Sequence, residues 1–126
     1  MKKAQNKFYL IGAGGYGKQL SIMLKNNEII KSAIFVDDKL KLNIKEFLKL
    51  KNKNNFSICI GKPKVREKIF NLLKKKKLYY STLILPNSHL YTDKIGQGNI
   101  IEHYVLLSNN VVTGTGCIFL TGSIVG

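Results

Sequence analysis

No apolar run in these 126 residues approaches the roughly 20 that a membrane-crossing helix needs, so a membrane span is not expected. Residues 1–7 are basic but lead into only four apolar residues, Phe8-Tyr9-Leu10-Ile11, too few for the core of a signal peptide. The expected compartment is therefore the cytoplasm. Cysteine is scarce as well. Cys59 and Cys117 stand far apart, and neither has a second Cys or a His at metal-ligand spacing. A disulfide framework and a zinc site are excluded on that count, no metal is expected, and both thiols read as small buried hydrophobes. Acidic residues number seven against 21 basic ones, for a net charge of +14. Such a surplus suggests nucleic acid, but Arg66 is the one arginine, and arginine forks dominate specific readout of phosphate and guanine. A Lys/Asn compositional bias accounts for the charge equally well, and no specific nucleic-acid partner is expected. The surplus is also lopsided: residues 1–77 carry 20 basic and 5 acidic side chains, whereas 78–126 carry Lys94 against Asp93 and Glu102.

What is present starts with Ile11-Gly12-Ala13-Gly14-Gly15-Tyr16-Gly17-Lys18. Glycines 12, 14 and 17 fit G-x-G-x-x-G directly after a short apolar run, the strand context this motif requires. The first glycine allows a tight turn, the second lets backbone approach a phosphate, and the third lets a helix pack close to the strand. Phosphate oxygens would then meet the amides and positive dipole of the helix N-terminus. Asp37 lies 20 residues past Gly17, after Ala33-Ile34-Phe35-Val36, where such folds set an acid near a ribose hydroxyl.

Periodicity predicts strands at 8–11, 33–36 and 56–60 and a helix from Gly15 to about Asn27 with Leu20, Met23 and Leu24 inward. Residues 40–50 suit either an alternating strand or a short amphipathic helix, and 52–55 read as a loop. A second helix over about 63–76 opens on Pro63, where the missing N–H costs nothing, and carries Val65, Ile69, Leu72 and Leu73 as one apolar stripe. Residues 82–85 read as a fourth short strand stopped by Pro86. Strands alternating with helices predict a parallel α/β sheet with ligands at the strand carboxyl ends, where Gly14 to Tyr16, Asp37, Asp38 and Gly61 all fall.

After about residue 94 the pattern changes to a strict period of six. The first column holds Ile95, Ile101, Leu107, Thr113, Phe119 and Val125; the fifth holds Asn99, Val105, Val111, Cys117 and Ser123; the sixth holds Ile100, Leu106, Val112, Ile118 and Ile124. That period, with glycines between, is the mark of hexapeptide β-helix repeats, with the first column inward and the fifth filling a corner. The expected organisation is a Rossmann-like domain over 1–85 and the beginning of an incomplete left-handed parallel β-helix over 86–126.

A glycine-loop α/β half followed by hexads resembles the sugar-nucleotide acetyltransferase family that includes PglD and the NeuD-type sialic acid O-acetyltransferases. The resemblance rests on Gly12-Ala-Gly-Gly-Tyr-Gly-Lys18, Phe35-Val-Asp-Asp38, Ile60-Gly-Lys-Pro-Lys-Val-Arg-Glu-Lys-Ile69 and the hexads from Ile95. It implies a UDP-linked amino sugar or sialic acid as substrate in surface glycan biosynthesis, acetyl-CoA as co-substrate, and a homotrimer formed through complete β-helices. It further implies substrate contacts from Gly12, Gly14, Gly15, Tyr16, Asp37, Asp38 and Gly61. Tyr16 stands where the family often has histidine. The family's general base, a histidine, follows a segment like Gly122-Ser-Ile-Val-Gly126, so it is expected beyond Gly126, with residues 95–126 forming fewer than two coils. On that expectation the chain binds a nucleotide sugar but is inactive by itself. His103 follows Glu102, yet neighbours on an extended chain point to opposite faces, and His89 reads as an exposed turn residue. Two other readings stay open: a non-catalytic nucleotide-binding or assembly module, and an NAD-dependent oxidoreductase, which the glycine motif also fits.

Overall fold

The computed structural model describes residues 7–51, 53 and 55–126. The basic residues 1–6, and Asn52 and Asn54 of the expected loop, lie outside the described residues. The chain divides into two compact units, 1–78 and 79–126.

In the first unit β1 (Phe8–Ile11), β2 (Ala33–Val36) and β3 (Phe56–Ile58) form a parallel sheet in the order β2-β1-β3. Leu10 faces Phe35 on one side and Ser57 on the other. Helix α1 (Gly15–Asn26) buries Leu20 and Leu24. The ambiguous segment resolves as a single turn of helix, α2 (Ile44–Phe47), capped by the Asn43 side chain, which accepts from the Glu46 amide at 2.9 Å. Phe47 is fully buried and packs edge-on to Tyr9 and Phe56. Helix α3 (Pro63–Lys75) starts at proline as expected.

In α3 only Leu73 of the expected stripe is buried; Val65 is 42% exposed, and Ile69 and Leu72 are half-buried. The stripe does not face the core of the unit. Val65, Ile69 and Leu72 line a cavity, and Leu73 alone of the four turns into the core.

In the second unit, β4 (Leu83–Ile84), β6 (Ile100–Ile101) and β8 (Ile118–Phe119) stack in parallel, as do β5 (His89–Leu90), β7 (Leu106–Leu107) and β9 (Ile124–Val125). Successive rungs are Leu83, Ile100 and Ile118, steps of 17 and 18 residues, which is three hexads per coil. A third side is closed by Thr113 N–H to Lys94 O at 3.0 Å and Gly116 N–H to Gln97 O at 3.1 Å. This corrects two expectations. The strand at 82–85 is not a fourth strand of the front sheet but the first rung of the solenoid, and the coils start before Ile95. Each strand-bearing side therefore has three rungs. The first coil was hidden because it is one residue short, a step of 17, which breaks the hexad phase between Leu90 and Ile101.

The columns sort as expected. Ile101, Val105 and Leu107 form a buried cluster with Leu90, Ile95, Val111, Phe119 and Val125 packed against it. Asn99 and Glu102 sit deepest among the buried polar residues of this unit, each hydrogen-bonded. Asn99 donates from Nδ2 to Gly96 O (3.2 Å), Thr113 Oγ1 (3.0 Å) and Gly114 O (3.1 Å), and its Oδ1 accepts from the Cys117 amide at 2.8 Å. That network explains a threonine in the inward first column. Glu102 is 1% exposed, and its Oε1 accepts from the Thr121 amide (3.0 Å) and hydroxyl (2.8 Å) one coil on. Cys117 is half-buried, not a core residue.

Candidate nucleotide-binding site

The site grows out of the turn from β1 to α1. Gly12 has φ +121°, a region open to glycine, and donates its amide to Val36 O at 2.8 Å. A side chain on Gly17 would collide with the Gly12 carbonyl oxygen, so the third glycine of the motif is what lets α1 approach the strand. Gly14 is the N-cap in extended conformation and has no side chain with which to cap the helix. The first turn, Gly15-Tyr16-Gly17, has no carboxylate of its own, so the helix end presents amides and positive dipole to any anion placed there.

Asp37 braces this loop. Its Oδ2 accepts from the Ala13 amide at 2.9 Å and its Oδ1 from the Lys39 amide at 3.0 Å. Those two bonds, the Ala13 one first, hold its carboxyl below the ordinary carboxylate range. In the structure Asp37 organises the glycine loop, and neighbouring Asp38 is the exposed carboxylate of the pair. Beneath the loop the buried Cys59 thiol donates to the carbonyls of Ile11 (3.4 Å) and Gly12 (3.3 Å). Burial pushes it up to about 12, so it stays a neutral thiol. Arg66 is equally local in its effect: Nη1 donates to Ile60 O at 2.7 Å and Gly61 O at 3.3 Å, fixing the turn from β3 into α3.

These parts enclose a cavity of about 1020 Å³. The structure brings Gly12, Gly14, Gly15 and Tyr16 from the loop to its wall. Asp37 and Asp38 reach it from the end of β2, and Gly61 from the end of β3. All seven residues singled out in the sequence thus line one cavity. A further part of the wall went unread: Lys62, Val65, Lys68, Ile69, Asn71, Leu72 and Lys75 along α3, with Ile44 of α2. The signal available was lysine recurring on the apolar side of α3. Among the described residues no group of three His, Cys, Asp and Glu could hold a metal ion, and no helix is long and apolar enough to cross a membrane. Of the two histidines, His103 has Nδ1 3.0 Å from Pro86 O in the solenoid, and His89 is exposed and stacks on Tyr91.

The family described as the PglD N-terminal domain matches residues 7–73, more than half of the chain and the whole of the cavity apart from Lys75. The chain belongs to this family. No curated protein matches the full sequence. Among solved structures, the acetyltransferase domain of PglB from Neisseria gonorrhoeae FA1090, in complex with acetyl coenzyme A, superposes with a TM-score of 0.79. It is 20% identical, over 97% of this chain and 65% of that one. PerB from Caulobacter crescentus, in complex with CoA and GDP-perosamine, gives 0.79 at 18% identity over 99% and 65%. WeeI from Acinetobacter baumannii AYE gives 0.79 at 22% identity over 95% and 64%. This PglD-family chain therefore spans about 65% of the length of the structures it resembles. The likeness makes its fold a Rossmann-like parallel sheet with flanking helices followed by a left-handed parallel β-helix.

Proposed function

We propose that this chain is the front portion of an acetyl-CoA-dependent acetyltransferase acting on a nucleotide-linked sugar, with UDP as the nucleotide, in surface glycan biosynthesis in the cytoplasm. The observation that carries the reading is the cavity that joins the glycine loop, Asp38 and Gly61 at the carboxyl ends of three parallel strands, on a chain that continues into hexapeptide coils. A solved structure of the same fold, PerB in complex with CoA and GDP-perosamine, supports the CoA and nucleotide-sugar parts of it.

In this reading the diphosphate lies on the amides of residues 14–16, and the ribose hydroxyls meet Asp38. Gly61 leaves room for the ligand after β3. The sugar's amine or hydroxyl attacks the thioester carbonyl of acetyl-CoA; the new N- or O-acyl bond replaces the C–S bond, and CoA leaves as the thiol. A general base takes the nucleophile's proton. The family resemblance sets that base, a histidine, just after a segment like Gly122-Ser-Ile-Val-Gly126. Exposed apolar side chains on the solenoid, Val112, Leu120 and Ile124, support assembly of β-helices into a homotrimer with acetyl-CoA between them.

Calorimetry of the 126-residue chain with UDP, a UDP-hexose and NADH tests the proposal. Heat from UDP and the UDP-hexose at up to millimolar concentration, and none from micromolar NADH, is the expected result. Silence with both uridine nucleotides overturns it, and tight NADH binding would move the site to hydride transfer.

A further inference from the structure

The cavity is larger than a phosphate site needs, at the upper end of the roughly 300–1,000 Å³ range of small-molecule sites. Strand order gives it two arms. With β1 in the centre, Asp37 and Asp38 close one side of the glycine loop after β2, and α3 closes the other after β3. The first arm is anionic and the second is not. Along α3 the wall alternates apolar and cationic groups, with Val65, Ile69 and Leu72 as floor and Lys62, Lys68 and Lys75 around them. Asn71 sits between the last two lysines. Among the described residues none of these lysines has an ion-pair partner, whereas the surface pair Lys49–Glu46 does.

We infer that the α3 arm is an anion subsite for the sugar end of the ligand, so that the preferred substrate is a nucleotide sugar whose sugar carries a carboxylate. The inference rests on the nucleotide reading above. Helical rise sets Lys68 roughly 8 Å beyond Pro63 and Lys75 roughly 10 Å beyond Lys68. Lys68 and the glycine loop line the same cavity, so a sugar extending from a diphosphate at the loop toward α3 meets a cation there. The Asn71 amide can donate to the same carboxylate, and the apolar floor suits the ring's C–H face. The opposite arm rejects such a group, since Asp37 and Asp38 would repel a second anion near the ribose.

The test compares UDP-glucuronate with UDP-glucose, which differ at one carbon, a carboxylate against a hydroxymethyl. Calorimetry on the 126-residue chain should give UDP-glucuronate about five-fold tighter binding. In K68Q/K75Q that ratio should fall to within two-fold, with UDP itself still bound. K74Q/K77Q removes the same charge from residues outside the cavity wall and should keep the ratio, which separates a local subsite from the general positive field. Equal binding of the two sugars by the wild-type chain, or an unchanged ratio in K68Q/K75Q, overturns the subsite and leaves the nucleotide reading standing. Absence of UDP binding overturns both.

Discussion

Asp37 spends both carboxylate oxygens on backbone amides, and its function in the loop follows from that geometry. In Asp37→Ala the Ala13 and Lys39 amides lose their acceptor, and the loop that should hold the diphosphate loses its brace. Hydrogen bonds to a charged partner are worth about 1.5–3 kcal/mol when buried, and this partly exposed site should realise about 1 kcal/mol. UDP affinity should then fall roughly five-fold by calorimetry. The pH sign follows from a folded-state value below the unfolded one: the stabilisation is present above the unfolded carboxylate range and lost as pH falls through the lowered folded value. The stability gap between wild type and Asp37→Ala should stay constant from about pH 8 to pH 5 and shrink below about pH 4. A gap that moved between pH 6 and 8 would mean another group holds the loop. Cys59 gives a second residue-scale outcome. A buried thiol raised to about 12 should resist iodoacetamide at pH 8 in the folded chain, while half-buried Cys117 reacts; denaturation should expose both.

Glycines of one motif separate folding from binding at the scale of the element. Gly17→Ala drives a methyl into the Gly12 carbonyl and should cost at least about 2 kcal/mol, a fall in Tm on the order of 10 °C. Gly14→Ala meets nothing within 4 Å, so the fold should survive with Tm nearly unchanged, while UDP binding weakens because the added group stands at the helix end that faces the cavity. In the solenoid, Asn99→Ala strands the Cys117 amide and removes the Nδ2 donor shared among Gly96 O, Thr113 Oγ1 and Gly114 O, and should cost roughly 2–4 kcal/mol in denaturant unfolding. How far such elements were legible depended on whether spacing alone carries a mechanism. Gly12, Gly14 and Gly17 after a strand do, and so does an inward residue every six from Ile95 onward. The α3 stripe does not, because Val65, Ile69 and Leu72 have the same spacing whether they face a core or a cavity, and the lysines among them were the clue. The coil opening at Leu83 was hidden by its single missing residue, and Asp37 by the fact that a carboxylate's partners are set by the loop folding over it.

Charge is divided by unit across the whole molecule. Residues 1–78 hold 20 basic and 5 acidic side chains, a difference of +15, and 79–126 hold one basic and two acidic, a difference of −1. The cavity belongs entirely to the positive unit, so a diphosphate approaching it is attracted before it makes any contact. Screening sets the range of that attraction at about 10 Å in 0.1 M salt, shorter than the reach of the α3 lysines taken together. UDP binding should therefore weaken several-fold between about 50 and 300 mM NaCl, mostly through a slower association rate. Uridine, which has no phosphate, should show no such slope, and that control separates attraction by charge from a salt effect on the fold. The same field offers lysines, not arginine forks, to nucleic acid, so any DNA retention should vanish over the same salt range without sequence preference. If UDP binding stayed flat with salt, contacts at the loop and Asp38 would be carrying affinity alone, and the positive unit would be a solvated surface with no part in capturing the ligand.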